Sequence, residues 1–360
     1  NMNGNWNSFF GMNAGRNNTT SNNNSFFGAL AGGRNTRGNG NSFFGYEAGY
    51  GNLVQNHSSF FGYRAGRSNT GGVNSFFGAY SGEGNTAGIR NAFFGYKTGK
   101  NNGVSNDNSF FGYAAGERNT TGETNAFFGA RSGRNNRDGA GNAFFGSNAG
   151  EDNVSGGGNS FFGRAAGIRN MSGGRNSFFG NASGFNNRTG NENSFFGEFS
   201  GYRNQTGSNN SFFGRSVGFN NTTGGQNAFF GYNSGHGNES GANNSFFGSY
   251  SGAGNITGGS NSFFGVNSGR SNALGSLNVF IGFNAGRRNE DGIRNTLIGA
   301  NARLGRTNHQ YATALGSDSV ATADNTIQLG RNGEDTVRIG TLGNAGPTNI
   351  CLNASNEISS

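Results

Sequence analysis

Pairs of adjacent apolar residues, nearly always Phe-Phe, punctuate a chain that is otherwise polar or Gly. A Gly closes each pair, and Asn-Ser or Asn-Ala usually opens it. These marker glycines run from Gly11, Gly28, Gly45 and Gly62 to Gly265, and the slot continues as Ile-Gly at Gly282 and Gly299. The spacing is 17 throughout, except for one step of 16 between Gly62 and Gly78, which makes 18 repeats. A second Gly falls four residues after the marker (Gly15, Gly32, Gly49) and a third often ten after (Gly88, Gly122, Gly139). An Asn falls seven after, at Asn18, Asn35, Asn52, Asn69 and Asn85. Another stands four before, at Asn7, Asn24 and Asn41, with Ser58 as the exception. The unit reads Asn-Ser-Phe-Phe-Gly-x-x-Ala-Gly-x-x-Asn-x-x-Gly-x-x.

This pattern predicts strands, not helices. No 3.6-residue period is present, and Gly at this density costs about 0.5–1 kcal/mol per residue in a helix interior. Gly and Asn tolerate left-handed turn conformations. Each unit therefore offers short extended pieces broken by tight turns. One such piece is marginal alone, whereas stacked identical coils bond to the coils above and below. The expected fold is all-β, a parallel β-solenoid of 17-residue coils. The Asn of one slot are expected to form a side-chain ladder.

Side chains alternate across a strand, so the two Phe of a unit point to opposite faces. Towards the C-terminus the slot next to Gly stays apolar (Ile281, Ile298, Leu315), while the slot before it becomes Ala314, Gln328 and Arg338. On that ground the Phe adjacent to Gly is expected inside the coil: Phe10, Phe27, Phe44, Phe61, Phe77 and Phe94. Ser25, Ser42 and Ala92 share its face, and Ala14, Ala31 and Ser81 close the coil from the other side. The other Phe then forms an outward stripe: Phe9, Phe26, Phe43, Phe60, Phe76 and Phe93. A stripe that long exceeds an ordinary exposed apolar patch, and the simplest cover for it is the same stripe on identical chains around a threefold axis. Two alternatives stay open: both Phe inside one wider coil, or a carbohydrate-stacking stripe on a single chain.

Composition limits what else the chain can be. Only 31% of its 360 residues are hydrophobic, against roughly 45–50% in globular domains. Its 37 Phe carry much of that share. Composition alone suggests disorder, but the repeat overrides it. Net charge is +8 with no Lys/Arg run, which argues against nucleic acid and leaves anionic glycans or lipid headgroups as charge partners. No stretch approaches the roughly 20 apolar residues of a membrane span, so any membrane attachment is expected through an anchor outside this chain. The N-terminus reads as a repeat already under way. Cys351 is alone, so stability must come from stacking rather than disulfides.

The segment from Tyr311 to Gly330, Tyr-Ala-Thr-Ala-Leu-Gly-Ser-Asp-Ser-Val-Ala-Thr-Ala-Asp-Asn-Thr-Ile-Gln-Leu-Gly, resembles the head repeat of trimeric autotransporter adhesins. That resemblance implies a left-handed β-roll, three rolls packing side by side, and an extracellular place. The step from Gly316 to Gly330 is 14, and the main repeat is similar to the same motif with a longer turn and larger residues. A second resemblance covers Asn325 to Ser360. Thr326-Ile-Gln-Leu-Gly330, Val337-Arg-Ile-Gly340 and Ile350-Cys-Leu-Asn-Ala-Ser-Asn-Glu-Ile-Ser-Ser360 are similar to the segment before the self-cleaving intramolecular chaperone of endosialidase-type phage tail fibres. It implies processing at or near Ser360. Residues 1–306 then form the main array, 307–340 the shorter coils and 341–360 a tail.

Candidate chemistry is sparse. His57, His236 and His309 occupy different slots, so no metal site is expected and the His read as solvated turn residues. The 18 carboxylates recur at no fixed pair of slots, so no glycosidase-like acid/base pair is expected. No cofactor is implied. Tyr46, Tyr63, Tyr96, Tyr113 and Tyr232 follow the marker Gly, and Arg16, Arg67, Arg134, Arg270 and Arg287 lie five after it. These are candidates for a glycan-contacting face. The expectation is a non-enzymatic, homotrimeric fibre shaft or adhesin on a bacterial surface or virion tail. The rivals are an ice-binding or other single-chain solenoid and a glycan-cleaving tail spike. Separate coils would span roughly 86 Å and an interleaved triple helix ~260 Å; enough turns lie within each unit to favour the former.

Overall fold

Each repeat spends three residues on a strand and fourteen on returning the chain to its start. In the computed structural model, which describes residues 4–336 and the backbone of two further strands, eighteen such strands run from β1 (Ser8–Phe10) to β18 (Thr296–Ile298). They are followed by β19 (Arg303–Leu304), β20 (Thr313–Leu315), β21 (Val320–Ala321) and β22 (Ile327–Leu329). The two further strands, β23 (Cys351–Leu352) and β24 (Ile358–Ser359), pair antiparallel. No described residue is helical. Ser360 and the Val337–Gly340 strand read from sequence lie outside the described residues.

Pairing is parallel and in register from coil to coil, Ser8 with Ser25, Phe9 with Phe26 and Phe10 with Phe27. One sheet of 20 strands results, ending β18, β20, β22. Successive rings stack 4.8 Å apart, as for Phe26 and Phe43. At that rise the sheet extends roughly 90 Å. Each strand pairs with the next coil of its own chain, so the chain closes on itself in separate coils.

The two Phe face the opposite way from the sequence expectation. Phe26, Phe43, Phe60, Phe76 and Phe93, expected outside, are fully buried, and Phe9 in the first coil packs against the same core. Phe10, Phe27, Phe44, Phe61, Phe77 and Phe94, expected inside, lie on the outer face, half-buried for the most part; Phe10 is 74% exposed and Phe27 37%. Ser25, Ser42 and Ala92 accompany them outside. The reason is the Asn four before the marker Gly. It shares a face with the first Phe, and it is buried because the coil needs its amide. Asn24 Nδ2 donates to the Gly38 carbonyl at 2.9 Å, and its Oδ1 accepts from the Asn41 backbone N–H at 2.9 Å. Ala31 and Ser81 close the core as expected, both at zero exposure.

Two glycines of each unit answer to close approach. A Cβ on Gly28 would meet the Gly45 carbonyl oxygen of the next coil at 2.5 Å. A Cβ on Gly32 would strike the ring of Phe26 at the same distance. Two further left-handed slots carry almost any residue, including Glu47, Arg64 and even β-branched Val73, with φ of 53°, 56° and 58°. Intercoil bonds hold them there; the Arg64 N–H, for example, donates to the Tyr46 carbonyl at 2.9 Å.

The Asn ladder forms as expected. Asn18, Asn35, Asn52, Asn69 and Asn85 are buried, and Asn35 Nδ2 donates to Asn18 Oδ1 at 3.0 Å, Asn52 to Asn35 at 3.1 Å and Asn85 to Asn69 at 2.6 Å. It continues to Asn289, which donates to Asn272 at 2.6 Å. One rung is broken. Asn52 Oδ1 is buried and unpartnered, because Asn69 turns its amide to the Gly71 carbonyl. The 16-residue coil loses its residue there: Asn69 reaches Gly71 in two steps, where Asn52 reaches Gln55 in three. Inserting a Thr between Thr70 and Gly71 should free Asn69 to close the rung. We expect a gain of about 1–2 kcal/mol, read as a raised thermal midpoint in circular dichroism. An unchanged or lower midpoint would show that the short coil is no defect.

Candidate interaction surfaces

Four lengthwise surfaces result from this stacking. On the first, outer Phe residues form a column beside a furrow of Ser and Ala. Phe44, Phe61, Phe77 and Phe94 stack at 4.6, 4.8 and 4.7 Å with rings within 7° of parallel. The column runs unbroken from Phe27 to Phe264 and continues as Ile281, Ile298, Leu315 and Leu329. The 16-residue coil does not disturb it, since Phe61 and Phe77 remain 4.8 Å apart.

The second surface gathers the tyrosines. Tyr46, Tyr63, Tyr96, Tyr113 and Tyr232 are all exposed, between 41% and 50%. Tyr46 stacks on Tyr63 at 5.4 Å and Tyr96 on Tyr113 at 5.7 Å. Tyr80, one slot later in its repeat and missed by sequence spacing, bridges the pairs edge-on at 5.3 and 5.9 Å. Tyr232 stands apart and meets Tyr250 edge-on at 5.3 Å. Cations cap several faces, with Arg64 over Tyr63 at 5.4 Å and the Lys97 ammonium over Tyr96 at 5.1 Å. Ring edges and hydroxyls are therefore more available to a glycan than ring faces.

Charges on the third surface pair across coils. Arg64 and Arg67 hold Glu47 at 3.0 and 2.6 Å, and Arg134 holds Glu117 at 2.8 Å. The hydrogen bond that Arg134 Nε donates to the Glu117 carboxylate pushes the guanidinium above its already high value. In these pairs the carboxylates are mostly buried and the guanidiniums keep about a third of their surface in water. The fourth surface is a hollow of about 590 Å³ where Arg118, Arg137, Arg169 and Arg188 converge with Asp152. Sequence shows these arginines as isolated charges, because they come from different coils at two alternating slots.

The histidines separate. His57 is exposed in a left-handed turn. His236 belongs to an aromatic column. His309, expected to be solvated, is instead buried, with Nδ1 2.8 Å from Asp324 Oδ1. The Gln310 backbone N–H, and then His309, hold the Asp324 carboxyl below its ordinary value. Among the described residues no group of three or more His, Cys, Asp or Glu converges as a metal site would require. The Asn of the ladder are buried and so form no outward-facing array of the kind an ice-binding solenoid presents. Several half-exposed Thr hydroxyls are engaged in bonds between coils, as Thr36 Oγ1 donates to the Leu53 carbonyl at 2.9 Å.

The fold and these surfaces define a β-solenoid repeat protein with Phe and Asn ladders. Compared with known proteins, the chain matches no family model and no curated sequence.

Proposed function

We propose that this chain is a non-enzymatic fibre segment, displayed extracellularly on a bacterial surface or a virion tail, which assembles through its outer Phe column as a homotrimer. The observation that carries this reading is the unbroken column from Phe27 to Leu329. Such a column runs the whole length of the sheet, far beyond an ordinary exposed patch. Its ridge of rings lies beside a Ser/Ala furrow, which would seat the ridge of another copy. A threefold arrangement closes the set, in keeping with the adhesin-head resemblance of residues 311–330. The Tyr edges and the four-Arg hollow are the surfaces offered to a glycan or an anionic surface. The light-scattering mass tests the assembly: a particle near three times the 37.4 kDa chain is expected, and a particle of one chain at micromolar concentration overturns it.

A further inference from the structure

We infer that the solenoid carries one built slot for a single planar aromatic ring, between His236 and Arg270. Five residues after the marker glycine, successive coils place Phe185, Tyr202, Phe219 and His236 in one column. Their rings stack at 4.9, 4.9 and 5.2 Å, with interplanar angles of 23°, 8° and 14°. The column begins under a cation, since the Arg169 guanidinium lies 5.4 Å over Phe185. At the other end the next rung is Ala253, and the rung after that is Arg270. One ring is thus missing from the sequence of rungs.

The neighbouring slot is emptied at the same place. Where earlier coils carry Arg203 and Asn220, these two carry Gly237 and Gly254. The result is an open hollow of about 480 Å³ lined by Asn233, His236, Tyr250, Ala253, Gly254 and Arg270. It is two coils tall. A flat ring inserted there lies one coil above His236 and one below Arg270, which is the spacing the column already keeps. Aromatic rings favour such offset stacking. The Arg270 guanidinium lies 5.1 Å over the Tyr250 ring at the edge of the hollow; moved from there onto the guest's second face, it would add a cation–π contact. The guest would end the column under a cation, as Arg169 does at its start. Arg270, Asn233 and Ser271 at the rim favour a ring with an acidic or hydrogen-bond-accepting substituent. The ligand class is therefore an aromatic carboxylate or an aromatic side chain next to an acidic group. This slot lies off the outer Phe face and does not rest on the assembly reading.

The test is titration of the full chain with 2-naphthoate, followed by ligand fluorescence and by the amide signals of Gly237 and Gly254. Saturable binding that moves those two signals is expected. Ala253→Tyr supplies the missing rung and should weaken binding about tenfold or more. Its coil should persist, because Tyr202 fills the same slot. Arg270→Ala, which leaves the notch open, should weaken it several-fold, and cyclohexanecarboxylate, which is charged but not planar, should bind far less. Absence of saturation overturns the proposal. So does equal affinity of Ala253→Tyr or of cyclohexanecarboxylate.

Discussion

Phe161→Ala is expected to destabilise the solenoid by about 3–5 kcal/mol, whereas Phe162→Ala, one residue further on, should cost the isolated chain clearly less, about 1–2 kcal/mol for its two stacking contacts. Phe161 has no solvent exposure and lies between Phe144 at 4.8 Å and Phe178 at 4.7 Å. Removing its ring leaves a void between two planes held apart by backbone hydrogen bonds, so the gap cannot collapse. Phe162 keeps one edge in water. Because a solenoid is stabilised coil by coil, the Phe161 change should also broaden unfolding by uncoupling the blocks on either side. Denaturant unfolding of both variants, with assembly suppressed by dilution, measures the difference. Equal losses, or a larger loss at Phe162, would reverse the assignment of inner and outer faces.

The second large effect concerns assembly. Phe111→Lys, Phe145→Lys and Phe179→Lys together should reduce the scattering mass to a single chain while leaving the β-sheet circular dichroism intact. These three outer residues sit two coils apart along the column, so their new charges are about a Debye length from one another within a chain. Across a self-packed interface the same charges would be desolvated and opposed to like charges. Retention of the multi-chain particle would remove the outer column from the interface. Loss of the sheet signal in the triple variant is checked by Phe145→Lys alone, which should shift the association equilibrium without unfolding.

Much of this architecture was legible in the sequence. The 17-residue period, the parallel stacking and the Asn18-to-Asn85 ladder could all be read from spacing, because each depends only on identical residues meeting identical residues. The face of each Phe could not be read as easily. The slot before Gly stays apolar at Ile281, Ile298 and Leu315, which looked like the mark of a core. The interior slot meanwhile falls from Phe280 to Leu297 to Ala314, all fully buried. That series records a core that narrows as the repeat shortens to 14 residues, not an exposed position turning polar. The usable signal was Gly32 and its equivalents, Gly in every repeat whose inner residue is Phe, because that ring occupies the space a Cβ would need, and Arg303 only where the inner residue is Leu297. The hollows were illegible for another reason. Arg118 and Arg188, or His236 and Arg270, come to line one hollow only after stacking, and linear spacing hides which variable slots share a corner.

The uniformity of the outer column has a further consequence. From Phe27 to Phe264 every rung is the same, and even the 16-residue coil passes through it without a mark. Two such columns laid together fit almost as well when one slides by a single coil, so along this stretch the interface has no origin. In the proposed assembly, alignment along the described column would be set where its rungs differ, at Ile281, Ile298 and Leu315. Like a zip whose teeth are all alike, the proposed assembly would have to be started where the teeth differ, and within residues 4–336 that is the Ile281–Leu315 stretch.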